Sequence, residues 1–172
     1  MKKSLLLLFV LVSCSPSEEQ QPQNGSAASS KPQPAAARPD SPPARLASLV
    51  GLYEGGAGER RHQMCIVEGG GGEERFGLVV WGANLHSCSG SGRVSRTGDR
   101  LRLTMAGDAA CTVEASISGN TVKLPATTPP GCAYYCGERA GLAGAELRQS
   151  GTSEADAMKA KDLVGEALCA GV

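Results

Sequence analysis

The chain has 172 residues, of which only 3% are aromatic, and its 17 lysines and arginines balance its 17 aspartates and glutamates. This length accommodates one small domain, and the lack of net positive charge excludes a general electrostatic attraction to nucleic acid. Few aromatic rings and 23 glycines predict a thin core that is rich in turns and needs cross-links for stability.

The chain begins with two lysines and an apolar run, Leu5 to Val12, which Ser13 and Cys14 follow. A basic start before a short apolar run is typical of a signal peptide, and a membrane-spanning helix would need about 20 apolar residues. Leu11-Val12-Ser13-Cys14 resembles the lipobox of bacterial lipoproteins, whose cysteine is diacylated and becomes the N-terminus. The resemblance implies that residues 1–13 are removed and that Cys14 anchors the protein to a membrane. The alternative is an ordinary cleaved signal beside an unrelated cysteine.

Residues 14–45 are expected to form a disordered tether. Seven of the ten prolines lie between Ser15 and Arg45, among Ser, Gln and Ala and without a large apolar side chain. This composition cannot offset the entropy of ordering and favours polyproline II. Ser15 favours the outer membrane, because in the enterobacterial sorting pattern an aspartate at this position retains a lipoprotein at the inner membrane. Partner binding by the prolines is the alternative to a plain spacer.

Residues 46–151 have the pattern of a small antiparallel β domain. Short runs with apolar residues at alternate positions, separated by turns such as Gly119-Asn120, predict a meander that forms a barrel or a sandwich. The predicted strands are Leu49 to Glu54, Arg60 to Glu68, Arg75 to Asn84, Ser87 to Ser95, Arg100 to Met105, Cys111 to Ser118, Thr121 to Leu124 and Gly141 to Gln149. The third is apolar on both faces, so we expect it in the middle of the core.

Residues 152–172 predict a C-terminal helix that packs on the β domain. Ser153 is a suitable N-cap, and acidic residues occupy the first turn, where the helix dipole favours them. Apolar residues recur at helical spacing as far as Leu168. The sequence therefore predicts an amphipathic helix from Glu154 to Leu168, with Cys169 attaching its end to the barrel.

An even number of cysteines besides Cys14 indicates three disulfides in a small exported domain. The six are Cys65, Cys88, Cys111, Cys132, Cys136 and Cys169. We expect Cys88 and Cys111 at the same end of the sheet, where they can bond if the strand between them has ended or the barrel curls. Cys169 is expected to bond Cys132 or Cys136. A redox pair or zinc site at Cys132 and Cys136 is the alternative, which their spacing and the lack of a second close pair disfavour.

No catalytic motif is present in the sequence. His62 and His86 have no catalytic spacing, so we expect a solvated strand position and a turn position for them. The four glycines 69–72 lie in no phosphate-binding pattern and predict a hairpin loop. We therefore expect a non-enzymatic protein without a metal or cofactor. An envelope enzyme is the alternative if the fold brings a histidine beside an acid in a cleft.

Four arginines lie close together in the sequence: Arg93, Arg96, Arg100 and Arg102. They are basic within a slightly acidic protein, because removal of Lys2 and Lys3 leaves 15 basic against 17 acidic residues. Guanidinium groups suit carboxylates and phosphates. Strand alternation predicts that Arg93, Arg100 and Arg102 point outward. The cluster predicts a contact surface for an anionic envelope component or a protein partner, against the alternative of a solvated strand face.

The same region resembles membrane-bound lysozyme inhibitors. Ser91-Gly92-Arg93, then Gly98, then Gly107-Asp108 before a strand are similar to that family, whose members are small lipid-anchored barrels with disulfides and a Ser-Gly loop that enters the lysozyme cleft. The aromatic residues that the family carries after this loop are missing here. The resemblance implies inhibition of a cell-wall hydrolase. It is the alternative to our main expectation, a lipid-anchored binding or structural module on the periplasmic face of the outer membrane.

We predict that Cys14 is the acylated N-terminus of the mature protein. Mass spectrometry of protein extracted from membranes should find acyl chains on Cys14, and Cys14→Ser should release the protein, because several acyl chains anchor stably whereas one binds only marginally. An unmodified peptide that continues from Ser13 to Ser15 would contradict this prediction.

Overall fold

The computed structural model describes residues 48–58 and 60–172, so the predicted signal peptide, Cys14 and the tether lie outside the described residues. The described chain forms a closed barrel of eight antiparallel strands in sequence order. The strands are β1 (Gly51–Gly55), β2 (His62–Glu68), β3 (Glu74–Trp81), β4 (Ser87–Thr97), β5 (Arg100–Met105), β6 (Thr112–Ser118), β7 (Thr121–Lys123) and β8 (Glu146–Gly151). Pairing of β8 with β1 closes the sheet. The predicted mainly β fold is confirmed, in its barrel form.

The connections between strands divide the barrel into two ends. The turns β2–β3, β4–β5 and β6–β7 lie at one end, which we call the turn end, and the other four connections lie at the loop end. The described chain enters at the turn end, where the Tyr53 hydroxyl donates to the carbonyl of Leu49 at 2.7 Å. Gln149 Nε2 donates to the carbonyl of Val50 at 3.1 Å. These bonds fix the start of β1 against the barrel.

Apolar side chains fill the interior of the barrel. Alternate residues of each strand point inward, and in this barrel they include Tyr53, Met64, Ile66, Phe76, Leu78, Val94, Leu101, Leu103, Val113, Val122 and Leu147. None of these is more than 5% exposed, and no polar or charged residue of the described chain is buried. An eight-stranded barrel is just wide enough for side chains to fill. The interior of the barrel is therefore an apolar core that side chains fill.

The C-terminal segment covers the outer face of β1 and β2. Cys65 and Val67 point outward from β2 yet are buried, because Ala157, Ala160 and Cys169 pack over them in a second apolar cluster. Gly77 of the neighbouring β3 makes room for this segment, since a Cβ there would lie only 2.8 Å from Leu168 Cγ. This covering explains why the second and third strands carry apolar residues on both faces.

The predicted C-terminal helix is wrong beyond its first turn. The helix α1 spans only Glu154–Ala157, although its predicted N-cap is confirmed, since Ser153 Oγ accepts the N–H of Asp156 at 3.1 Å. Hydrogen bonds from Lys159 and Ser153 lower the pKa of Asp156 to about 2. Farther on, Gly165 adopts φ 89° in a turn, so the apolar spacing that indicated a helix belongs to an irregular segment.

The structure contains three disulfides, as predicted, but with different partners. The bonds join Cys65 to Cys169, Cys88 to Cys136 and Cys111 to Cys132. Cys88 and Cys111 do lie at the same end of the barrel, but the expected bond between them is wrong, because the β7–β8 connection crosses the loop end and supplies a cysteine to each. The expected bond from Cys169 to this connection is also wrong, since Cys169 lies on the outer face of β2.

We expect the double substitution Cys65→Ser and Cys169→Ser to destabilise the barrel by about 2–5 kcal/mol. The bond closes a separation of 104 residues, which constrains the unfolded chain strongly and holds the C-terminal segment in place. Urea unfolding under non-reducing conditions measures the loss.

The matched comparison is Cys111→Ser with Cys132→Ser, whose bond closes a separation of 21 residues. By loop entropy alone it should cost about 1 kcal/mol less than the first pair. A Cys65/Cys169 variant as stable as the parent protein would contradict the role assigned to this bond.

Candidate functional site

The predicted arginine surface lies on the outer face of β4 and β5. Arg93, Arg100 and Arg102 are all exposed, as strand alternation predicted. Arg75 of β3 stands directly opposite Arg93 in the strand register. Arg75 was not among the predicted residues, because the register that brings it beside Arg93 is set by the β3–β4 connection and not by sequence proximity.

The structure separates Arg96 from the other three arginines. Arg96 has the same strand parity as the buried Val94 and lies at the turn end, where its Nε donates to the carbonyl of Gly98 at 2.8 Å. Burial raises the pKa of the nearby Glu74 carboxyl. A hydrogen bond from the backbone of Leu49 and the positive charge of Arg96 act in the opposite direction and lower this pKa. Arg96 therefore lies with Gly98 and Glu74 at the turn end and not on the outward arginine surface.

Acidic residues of adjacent strands and turns face the exposed arginines. Arg93 Nη1 lies 4.0 Å from Glu73 Oε2, and Arg102 Nη1 lies 3.5 Å from Glu114 Oε1. Each of these side chains is more than half exposed, so each pair contributes only about 0–1 kcal/mol. The surface therefore has alternating charge, in pairs weak enough for a partner's charged groups to replace them.

A groove of about 600 Å³ runs along this surface beside the β2–β3 turn. Its charged lining consists of Glu68, Glu73, Glu74, Arg93 and Arg102. The strand order places the acids on the side of β2 and β3 and the arginines on the side of β4 and β5. The predicted glycine loop forms the edge of the groove as a short 3₁₀ turn, Gly70–Gly72. This groove can accept a ligand that carries both charges.

A second groove of about 510 Å³ lies between the barrel and the C-terminal segment. Arg60, Arg61, Trp81 and Lys161 line it, and the guanidinium carbon of Arg60 lies 4.7 Å from the centroid of the Trp81 ring. Arg60 and Arg61 were predicted to lie inside the second strand, whereas β2 begins at His62. No signal in the sequence indicated this contact, because Arg60 and Arg61 are distant from Trp81 along the chain and the pairing of β2 with β3 brings them together.

The two histidines serve structural contacts. His62 is half-buried, in contrast to its predicted solvated position, and its Nδ1 accepts the N–H of Trp81 at 3.1 Å. Burial lowers the pKa of His62. His86 follows a short 3₁₀ turn, Ala83–Leu85, as its predicted turn position required. Within residues 48–58 and 60–172, no three His, Cys, Asp or Glu side chains are grouped to hold a metal ion.

Comparison with known proteins finds no matching family model, no matching curated protein and no matching solved structure. Among the helices that the structure describes, none has the length and apolar character needed to cross a membrane.

We expect His62 to make the barrel less stable as the pH falls below about 6.5. Burial lowers the folded-state pKa of His62 from 6.5, so the unfolded chain binds the proton first and the free energy of unfolding decreases with falling pH. His62→Asn keeps an acceptor for the Trp81 N–H but does not titrate. Thermal unfolding at about pH 7 and about pH 5 should therefore show a smaller stability loss for this variant; an equal loss would contradict the prediction.

Proposed function

We propose that the protein is a lipid-anchored, non-enzymatic binding module on the periplasmic face of the outer membrane. The leader and the lipobox support the anchor, and the filled interior of the barrel leaves the outer surface for recognition. The observation that carries the binding role is the joint outward projection of Arg93, Arg100 and Arg102 from two adjacent strands. The anchor and the location depend on residues outside the described chain, whereas the binding role depends on the barrel.

The arrangement of charges indicates how the surface would bind. Among the described residues, Arg93 and Arg102 form ion pairs with exposed carboxylates, and Arg100 stands between Thr97 and Ser116 in the strand register. A partner's carboxylates or phosphates can therefore replace Glu73 and Glu114 as ligands of the guanidinium groups. Because such contacts remain partly exposed, binding should weaken as the salt concentration rises.

The contacts of the histidines support a non-enzymatic role. A general base must reach the proton that it removes, whereas His62 Nδ1 is occupied by the Trp81 N–H. His86 lies against the backbone of the β7–β8 connection, where a Cβ on Gly137 would be 2.8 Å from its Nδ1. Both imidazoles thus contribute to the packing of loops.

Inhibition of a cell-wall hydrolase is the alternative function that the sequence raised. Ser91, Gly92 and Arg93 of that resemblance lie inside β4, where all three pair with β3 and the last two also pair with β5. A paired strand does not enter a cleft as a loop does, so this geometry favours the binding module. A lysozyme activity assay with the soluble barrel separates the two functions.

We predict that Arg93→Gln, Arg100→Gln and Arg102→Gln together abolish capture of the partner from an envelope extract. The barrel from Leu46 to Val172 suits this experiment, because the closed sheet, both apolar clusters and all three disulfides lie within residues 48–172. Thermal stability should change little, since the side chains are exposed.

The matched control is the triple variant Arg60→Gln, Arg61→Gln and Lys161→Gln, which removes the same charge from the second groove. It should capture the partner as the parent does. If the β4–β5 variant also captures the partner like the parent, its arginines are only a solvated strand face.

A further inference from the structure

Two aliphatic side chains project from the C-terminal segment. Leu163 is 48% exposed and Val164 is 81% exposed, and we call this pair the apolar tip. Single exposed apolar residues are common on soluble proteins and need no explanation. This pair differs because its loop is held in a defined shape and because cationic side chains lie beside it.

Hydrogen bonds fix the loop that carries the apolar tip. Asp162 Oδ1 accepts the N–H groups of Val164 at 2.9 Å and of Glu166 at 2.8 Å, which closes a tight turn around the tip. Lys161 pairs with Ala167 across this turn, and its N–H donates to Gln63 Oε1 of β2 at 2.8 Å. The loop therefore has a defined shape, and the exposure of Leu163 and Val164 is a property of the folded state.

Three cations adjoin the tip. Arg60, Arg61 and Lys161 line the second groove together with Leu163 and Trp81. Asp162 also lines the groove, but one of its oxygens is already bonded to two backbone N–H groups. Glu166 is the exposed acid of the same loop, so these five charged residues together carry a net charge of +1.

We propose that the apolar tip and these three cations form a docking surface for an anionic phospholipid bilayer. At such a surface exposed aliphatic side chains enter the boundary between headgroups and acyl chains, lysine and arginine contact anionic headgroups, and tryptophan favours the headgroup level. A soluble anionic glycan would use the cations and Trp81, but it would leave the aliphatic tip without a role. The combination of all three features favours the bilayer.

This docking would leave the β4–β5 surface free. The tip and its groove lie beside β2, β3 and the C-terminal segment, whereas the outward arginines lie on β4 and β5, farther around the closed barrel. The inference goes beyond the proposed function and does not require it, since the surface belongs to the barrel and not to a lipid anchor. If Cys14 is acylated, the anchor raises the effective concentration of the bilayer, and a weak docking surface is then sufficient.

Vesicle flotation with the barrel from Leu46 to Val172 tests the proposal. The barrel should float with vesicles of equimolar phosphatidylcholine and phosphatidylglycerol, and much less with vesicles of phosphatidylcholine alone. Trp81 is the only tryptophan in the chain and lines the groove, so its fluorescence reports on this surface directly. Its emission should shift to shorter wavelength when anionic vesicles are added.

Two sets of substitutions separate the apolar and the electrostatic contributions. Leu163→Ser with Val164→Ser should weaken vesicle binding by about tenfold or more, because both side chains lose apolar area that the bilayer would bury. Arg60→Gln, Arg61→Gln and Lys161→Gln together should weaken it on the order of 100-fold, since each cation near an anionic surface contributes about fivefold. The control Lys123→Gln, Arg139→Gln and Arg148→Gln removes the same charge from exposed residues outside both proposed surfaces, and it should bind within a few-fold of the parent.

The thermal unfolding of every variant is measured first, so that loss of binding is compared only among folded proteins. The proposal is overturned if the parent does not float with anionic vesicles, or if the tip variant floats as well as the parent. It is also overturned if the control at Lys123, Arg139 and Arg148 loses as much binding as the groove variant. Binding of a soluble anionic polysaccharide without vesicle binding would assign the groove to a glycan and contradict the bilayer.

Discussion

Pairing between β8 and β1 is the constraint on which the rest of the structure depends. It closes the sheet, so the barrel has no free strand edge at which another chain could add. Closure at eight strands also directs alternate side chains into a space that they fill, which gives a chain with few aromatic residues an apolar core. A binding surface of the described chain would therefore lie on the outer face, the end connections or the C-terminal segment.

The disulfides stabilise the parts of the chain that the sheet cannot hold. None joins one strand of the barrel to another; each attaches an irregular segment, either the C-terminal residues or the β7–β8 connection. The same C-terminal segment covers the outward side chains of β2 and adds a second apolar cluster. The segment also carries the apolar tip. The bond from Cys65 to Cys169 therefore stabilises both the second apolar cluster and the position of the segment that carries the tip.

The sequence predicted features that depend on neighbouring residues and failed where distant segments meet. Alternation identified the strand Arg100–Met105 with its bounds and the outward direction of Arg93, Arg100 and Arg102. The disulfide partners were wrong because they depend on the course of the β7–β8 connection, which has little regular structure. The neutralising acids, Glu73 and Glu114, were missed because strand register brings them to the arginines. The second groove was missed because the C-terminal segment forms one side of it.

The central claim is that disulfides join the closed barrel to its C-terminal segment and to the β7–β8 connection across its loop end. Peptide mapping of the oxidised protein by mass spectrometry under non-reducing conditions tests this claim most directly. The account predicts bonded peptides that join Cys65 to Cys169, Cys88 to Cys136 and Cys111 to Cys132. A bond between Cys88 and Cys111, or between Cys169 and either cysteine of the β7–β8 connection, would contradict it.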